Sequence, residues 1–397
     1  MNYLFIWFCL CITIFAQEVN TSMSQENGYH IKEVDVQYTN TPEPKNFLAD
    51  LAFGNIIIKQ SKKDHAYAHI YIRVEDKEIL DDIRIYPKEN SEKLQLEIET
   101  NRSSFRDTKI EATLFLPQKT YVSVNTHGGS IYGQHYIGHI KAKTSGGSIK
   151  FTDITGTINS RTSGGSLSFT DIKGMVNGRT SGGSIKAQSI SGDLEVRTSG
   201  GSIRIREVVG NVNCNTSGGK IVVEDVEKSL TAHTSGGSVT IERIGERADV
   251  STSGGSIKFN TIGGELRAET SGGSIRGSNV KGYAELNTSS GNIQATEMFA
   301  PVRAESNGDI TVEMDLTDYK GNEQSYLGNS FGDIDLTLTN KSSFRLDVRA
   351  RSFGKRNIKS DFDLEFTEKN RAHYSHNDGD IDIKISARNG KVYINKK

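Results

Sequence analysis

Disulfides are the first thing this sequence does without. Of its three cysteines, Cys9 and Cys11 lie in an apolar N-terminal run, which leaves Cys214 alone in the rest. A single cysteine makes no intrachain disulfide, no cysteine-based zinc cluster and no CxxC redox pair. Net charge is lacking as well: 48 Lys+Arg against 49 Asp+Glu leaves −1. That balance argues against nucleic acid as a partner, because phosphate contacts need a basic surplus. Proline is scarce, at five residues, and together with 16 Phe and 14 Tyr this argues against disorder. Beyond the N-terminal run, no stretch is long and apolar enough to read as a membrane-crossing helix.

Residues 1–17, MNYLFIWFCLCITIFAQ, carry no charge and are almost wholly apolar before Gln17. The run is too short to span a bilayer comfortably, and polar sequence from Glu18 to Glu26 follows at once. It reads as a secretory signal cleaved near Ala16, although the usual basic residue of the n-region is missing. An uncleaved N-terminal anchor is the competing reading. Neither Cys9 nor Cys11 follows a Leu-x-Gly/Ala stretch, which disfavours lipid attachment. The expected location is outside the cytoplasm: periplasm, outer-membrane surface or extracellular space.

What the chain has in quantity is glycine, 40 residues, and most of it is periodic. Thr-x-Gly-Gly-Ser-Ile units recur every 18 residues, opened by Thr126, Thr144, Thr162, Thr180, Thr198, Thr216, Thr234, Thr252, Thr270 and Thr288. An eleventh, from Ser306 through Asp309 to Ile310, is one residue short. A fixed period of this length is the signature of a solenoid or array.

Aligned copies separate inward from outward columns. Five places after each Thr stands Ile131, Ile149, Leu167, Ile185 and so on to Ile293. Phe151, Phe169, Ala187, Ile205, Val223, Ile241 and Phe259 form a second column, and Ile154 to Met298 a third. The fourth runs from Ile140 to Val302, and a fifth of small or apolar residues includes Ala142, Ser160, Val196, Cys214, Val250 and Leu286. A spacing of two within a pair is strand alternation, not helical periodicity. Each copy therefore predicts two short strands and two tight turns: Ser-Gly-Gly at one, and a glycine such as Gly156, Gly174, Gly192, Gly210, Gly264 or Gly282 at the other. Glycine suits corners that need positive φ or close backbone approach.

The expected fold is all-β: a β-solenoid of 18-residue two-strand coils, about 50 Å long for ten coils stacked at about 4.8 Å each. No internal ligand cavity is expected, and Cys214 reads as a small buried hydrophobe. Residues 18–125 lack the period but alternate strongly, as in Ile70-Tyr-Ile72-Arg-Val74, and read as a β-rich cap over the first coil. The regular coils are residues 126–305. Residues 306–397, with Gly332-Asp333-Ile334 and Gly379-Asp380-Ile381, read as divergent closing coils.

The order of Gly54-Asn-Ile-Ile-Ile, Leu116-Pro117-Gln118-Lys119, serial Thr-x-Gly-Gly-Ser-Ile units and closing Gly-Asp-Ile turns resembles a known family. It is the bacterial family of exported β-strand-repeat proteins called candidate adhesins, whose domain has no assigned function. The resemblance covers nearly all of the chain beyond the leader. It implies the repeat fold and export, and it brings no catalytic residues and no cofactor.

Two polar features stand out. Counting by twos places the repeat threonines inward, beside the Gly-Gly turns. Thr144, Gly146, Gly147, Thr162, Gly164, Gly165, Thr180, Gly182 and Gly183 then form a structural turn ladder, each hydroxyl satisfying turn amides or neighbouring hydroxyls. That inward count disfavours ice binding by an outward threonine array. The second feature is a stack of outward cations: Lys143, Arg161, Arg179 and Arg197, followed in the same column by Asn215, His233, Ser251 and Glu269. Cations at ~5 Å intervals repel, so the stack is either relieved by neighbours such as Glu195 or kept for an anionic glycan or polysaccharide. Lys150, Lys186, Arg204, Lys258 and Arg276 face out on the other strand.

Enzymatic signatures are thin. Outward acids are scattered: Asp193, Glu195, Glu224, Glu242, Asp249 and Glu265, with no grouping of the kind that glycan-cleaving enzymes use. No HExxH, Walker loop or dinucleotide fingerprint occurs. His127, His135 and His139 match no standard metal spacing, and Asp309, Asp333 and Asp380 are expected to bond their own turns. The expectation is a non-enzymatic exported solenoid acting as an adhesin or envelope scaffold. A carbohydrate-active β-helix enzyme and a self-assembling rod are the alternatives.

Overall fold

The computed structural model describes residues 18–39, 44–90, 92–100, 107–351 and 357–397. The expected signal segment 1–17, with Cys9 and Cys11, lies outside the described residues. The period-two columns form strands, and the fold is an all-β solenoid of parallel coils, with one helix, Lys77–Asp82, among the described residues. It divides into two compact units, Met1–Ser145 and Gly146–Lys397.

Within the second unit the regular coils run in sequence order. Each strand pairs in parallel with its counterpart 18 residues on: Ile149 with Leu167, Leu167 with Ile185, Ile185 with Ile203, and Ile158 with Val176. Identical columns therefore lie over themselves, and the five apolar columns are buried. Their volumes compensate within a coil. Phe151 shares a coil with Ser160, Phe169 with Gly178 and Phe259 with Ala268, whereas Gly277 shares one with Leu286. The fit is close: a Cβ on Gly178 would stand 2.9 Å from the Phe169 ring. A jigsaw of this kind keeps a thin core at crystal-like density.

The second and third columns are three residues apart, so simple alternation cannot bury both. A residue in the left-handed region bends each strand between them, as at Asp153 (φ 52°), Asp171 (55°), Glu207 (59°), Arg243 (55°) and Asn279 (61°). The sequence predicts positive φ at glycine corners, and Gly156, Gly174 and Gly192 do adopt it (145°, 142° and 155°). The regular bend, however, falls on non-glycine residues, at a cost of order 1 kcal/mol each.

The Ser-Gly-Gly turn uses its two glycines differently. A Cβ on Gly219, the second, would stand 2.1 Å from the Gly201 carbonyl oxygen of the preceding coil. A Cβ on Gly218, the first, would lie 3.4 Å from the nearest atom, an ordinary contact. Ser290 in fact occupies the first-glycine place in one coil.

After Ser306 the coils leave sequence order. Ser325–Asn329 pairs in parallel with Ile381–Ala387, which pairs on its other side with Phe344–Ala350. In the opposite sheet Ile334–Leu338 pairs with Val392–Lys396, which also pairs with Ile358–Ser360. The coil made last in sequence is thus interposed between two earlier ones. Antiparallel Arg371–His376 and Glu365–Glu368 follow Phe344–Ala350 and end that sheet.

The first unit repeats this device with its earliest coil. Asn46–Leu51 lies between Lys93–Thr100 and Tyr121–Thr126, and Asn55–Gln60 between Lys109–Leu116 and Ile131–Ile137. Antiparallel Ala66–Val74, Tyr29–Tyr38 and Glu18–Glu26 extend one sheet, and Ile83–Glu89 the other.

Candidate functional site

Arg161, Arg179 and Arg197 each end a four-residue strand: Ile158–Arg161, Val176–Arg179 and Leu194–Arg197. Two residues of each strand point inward, so the arginine faces out while the following threonine turns in. The register sets Arg161 opposite Arg179, and Arg179 opposite Arg197. Adjacent parallel strands lie about 4.8 Å apart, so the guanidinium groups crowd into one row.

One carboxylate relieves two of them. Glu195 lies 3.3 Å from both Arg179 and Arg197, and it also accepts from the Asn177 amide at 3.3 Å. Both arginine side chains remain 51% exposed. Arg161 has no ion pair among the described residues. The row borders a shallow depression of about 390 Å³, completed by Asn215, His233 and the turn residues Ser181, Ser199, Ser217 and Ser235. Further along the column the charge changes sign: Asn215, His233, Ser251 and Glu269 succeed one another in register. His233 is bonded through Nδ1 to the Ser251 hydroxyl at 2.8 Å. Lys143, on Ile140–Thr144, is exposed within the first unit.

The threonines beside this row are buried. Thr162 donates to the carbonyl of Gly147 at 2.8 Å and accepts from the amide of Gly165 at 3.2 Å. Thr180 donates to Gly165 at 2.7 Å and accepts from Gly183 at 3.3 Å. In the first unit Thr144 donates to Gly129 at 2.7 Å. Each hydroxyl thus ties its own turn to the carbonyl of the preceding one, with no hydroxyl-to-hydroxyl chain among these bonds. Gly146, Gly164 and Gly182 are first glycines of their turns, and Gly182 has 3.5 Å of room at its Cβ.

A second ladder escaped the sequence reading. The residue after Gly-Gly accepts, through its side chain, the amide of its counterpart in the next coil. Ser148 accepts from Ser166 at 3.1 Å, Asn292 from Asp309 at 3.1 Å, Asp309 from Asp333 at 2.9 Å and Asp333 from Lys391 at 2.8 Å. Asp309 and Asp333 therefore bond the next coil and not their own turns, and Asp380 donates its amide to Ser343 at 3.2 Å. Serine or asparagine recurring at that place was the available signal.

The other outward cations form short pairs and no longer row: Lys186 lies beside Arg204 and Lys258 beside Arg276, while Ser168 separates Lys150 from Lys186, and Val222 and Thr240 separate Arg204 from Lys258. The outward acids are paired locally: Glu224 with Arg206 at 2.8 Å, Glu242 with Arg243, and Asp249 and Glu265 with Arg247 at 3.7 and 3.5 Å. Asp193 accepts the Asn211 amide at 2.8 Å. His127, His135 and His139 do not converge; no group of three or more metal-ligating side chains forms among the described residues. Cys214 is fully buried, and burial pushes its thiol up to about 12. No helix among the described residues is long and apolar enough to cross a membrane.

No family model matches the chain, and no curated protein matches it. Solved structures do show likenesses. A candidate cell adhesion protein from Clostridium sporogenes aligns over 96% of this chain and 100% of its own, at 10% identity and a TM-score of 0.17. A candidate adhesin from Parabacteroides merdae aligns over 67% of this chain and 95% of its own, at 11% identity and a TM-score of 0.26. A candidate lipid-binding protein from Parabacteroides distasonis aligns over 68% and 97%, at 16% identity and a TM-score of 0.26. Likenesses this weak carry no argument about what the chain binds.

Proposed function

We propose that the chain is a non-enzymatic, exported β-solenoid that acts as an adhesin or envelope scaffold, holding an anionic surface glycan along one polar face. The observation that carries this reading is the row of Arg161, Arg179 and Arg197 in strand register, with Glu195 as its one paired carboxylate. Guanidinium forks match carboxylate and sulfate geometry, and arginine stays charged at any working pH. Repulsion along the row is a standing cost that a bound polyanion removes. The depression is shallow and open, which suits a chain lying across several coils better than a small molecule in a pocket. Affinity would come from many modest contacts made together. Export rests on the apolar leader, residues 1–17.

The test is binding of the full chain to a glycan array and to lipopolysaccharide, beside the triple variant Arg161→Ser, Arg179→Ser, Arg197→Ser. Salt-sensitive binding that the triple variant loses is the expected result. Binding retained by the variant, or none by either protein, overturns the polyanion reading and leaves the row as solvated surface.

A further inference from the structure

A second set of arginines converges in the closing coils, where nothing in the repeat pattern places them. Arg349, Arg351, Arg371 and Arg388, with Asn370, Asn389 and Glu368, line an open cleft of about 780 Å³. Arg349 and Arg371 face each other directly across the antiparallel pair of Phe344–Ala350 and Arg371–His376. Like charges in that position destabilise a sheet unless something balances them.

The balance available within the protein is poor. Asp347 lies 3.7 Å from Arg349 and 3.7 Å from Arg371, beyond hydrogen-bond length, and shares itself with His373 at 3.7 Å. Arg371 Nε and Asp347 Oδ1 are both buried without a hydrogen-bond partner. Arg351 and Arg388 are exposed and form no ion pair among the described residues. Backbone bonds fix their positions: the Arg351 amide donates to Ala387 at 2.8 Å, and the Arg388 amide to Asn329 at 3.2 Å.

We infer that this cleft binds a phosphate monoester or diphosphate group carried on a larger molecule. Four guanidinium groups against the carboxylates of Asp347 and Glu368 leave a surplus of about two positive charges, which a phosphate monoester, carrying about −1.5 to −2, matches. Arginine forks bind phosphate oxygens two at a time. The cleft volume lies within the ~300–1,000 Å³ typical of small-molecule sites, which leaves room for the group that bears the phosphate. The ester could belong to a lipid headgroup or to a soluble phosphorylated molecule, and both present the same chemistry to the cleft.

The experiment is calorimetric titration of the full chain with pyrophosphate, paired with sedimentation against phosphatidylcholine vesicles with and without phosphatidic acid. Expected is one salt-sensitive site per chain, weakened about tenfold or more by Arg388→Gln and by Arg371→Gln, and unchanged in the triple variant of the 161–179–197 row. Arg371 is half-buried, so its variant is read beside Arg371→Lys and a thermal melt. Arg388 is exposed, and its variant is expected to melt with the wild type. Pyrophosphate binding identifies a soluble phosphate ligand, and binding to phosphatidic acid vesicles alone identifies a lipid one. Binding that survives Arg388→Gln, binding that the row variant abolishes, or none to either probe overturns the inference.

Discussion

The regular coils and the coils that close the chain solve the same packing problem with opposite economies of sequence. In the regular run paired strand residues lie 18 positions apart, as Ile185 and Ile203 do, so each new coil closes a short loop on its neighbour. In the closing coils Lys391 bonds Asp333 across 58 residues. Loop closure over the longer span costs only about 1 kcal/mol more, so entropy alone does not make these ends fragile. Their difference is one of order in the sequence: the coil made last lies between two made earlier. An aromatic cluster instead packs around the flanking strand, with Phe344 5.5 Å from Phe362 and 5.1 Å from His376 between ring centres. Regularity makes a coil replaceable; interposition makes one coil indispensable.

The largest expected effect comes from breaking that order. A chain stopped after Asp380 lacks the interposed strands Ile381–Ala387 and Val392–Lys396, and with them the neighbours of four other strands. Amides of Phe344–Ala350 that face the lost strand Ile381–Ala387 should lose their hydrogen-exchange protection, while those of the coils around Cys214 keep theirs. Equal protection in the truncated and full chains would mean that the interposed coil is ornamental.

A smaller effect tests the regular run itself. Gly219→Ala puts a methyl group into the backbone of the coil before it and should cost about 2–4 kcal/mol in urea unfolding. Gly218→Ala, one residue away, should stay within about 0.5 kcal/mol. Equal costs would show that the turn relaxes and that coil spacing is not set by backbone contact.

The smallest effect reports on the middle of the run through pH. Burial holds the Cys214 thiol protonated up to about 12, against 9.0 when it is free. A folded pKa above the unfolded one gives stability that is complete below pH 9 and is lost as pH rises toward 12. At pH 10 the loss should be on the order of 1 kcal/mol, read as a lower urea midpoint than at pH 8. Cys214→Ala should remove that part of the decline. An unchanged decline would assign it to other groups.

The repeat made most of the regular run legible. Five columns named from spacing alone are the buried columns, because identical residues over identical residues leave little choice of register. The bend at Asp153 and its counterparts was not legible, since its conformation usually advertises itself as glycine or asparagine and here, Asn279 apart, recurs on Asp, Ser, Glu, Arg and Thr. The three-residue gap between columns was the trace it left. The interposed coils were hidden for another reason: strand alternation says which face is buried but not which strand is the neighbour. At the candidate sites, the 161–179–197 row could be read because period and register coincide. The cleft of Arg349 and Arg371 could not, because antiparallel pairing, not repetition, brings those residues face to face.

Interposition also bears on how the chain meets force. A strand at the edge of a sheet can be peeled away one hydrogen bond at a time. Val392–Lys396 is no edge: Ile334–Leu338 flanks it on one side and Ile358–Ser360 on the other, all three running in parallel. Tension applied beyond Lys397 pulls this strand along its own length, against two ladders loaded together in shear. A molecule tethered through that end would resist a pull as a clasp does, by failing all at once or not at all.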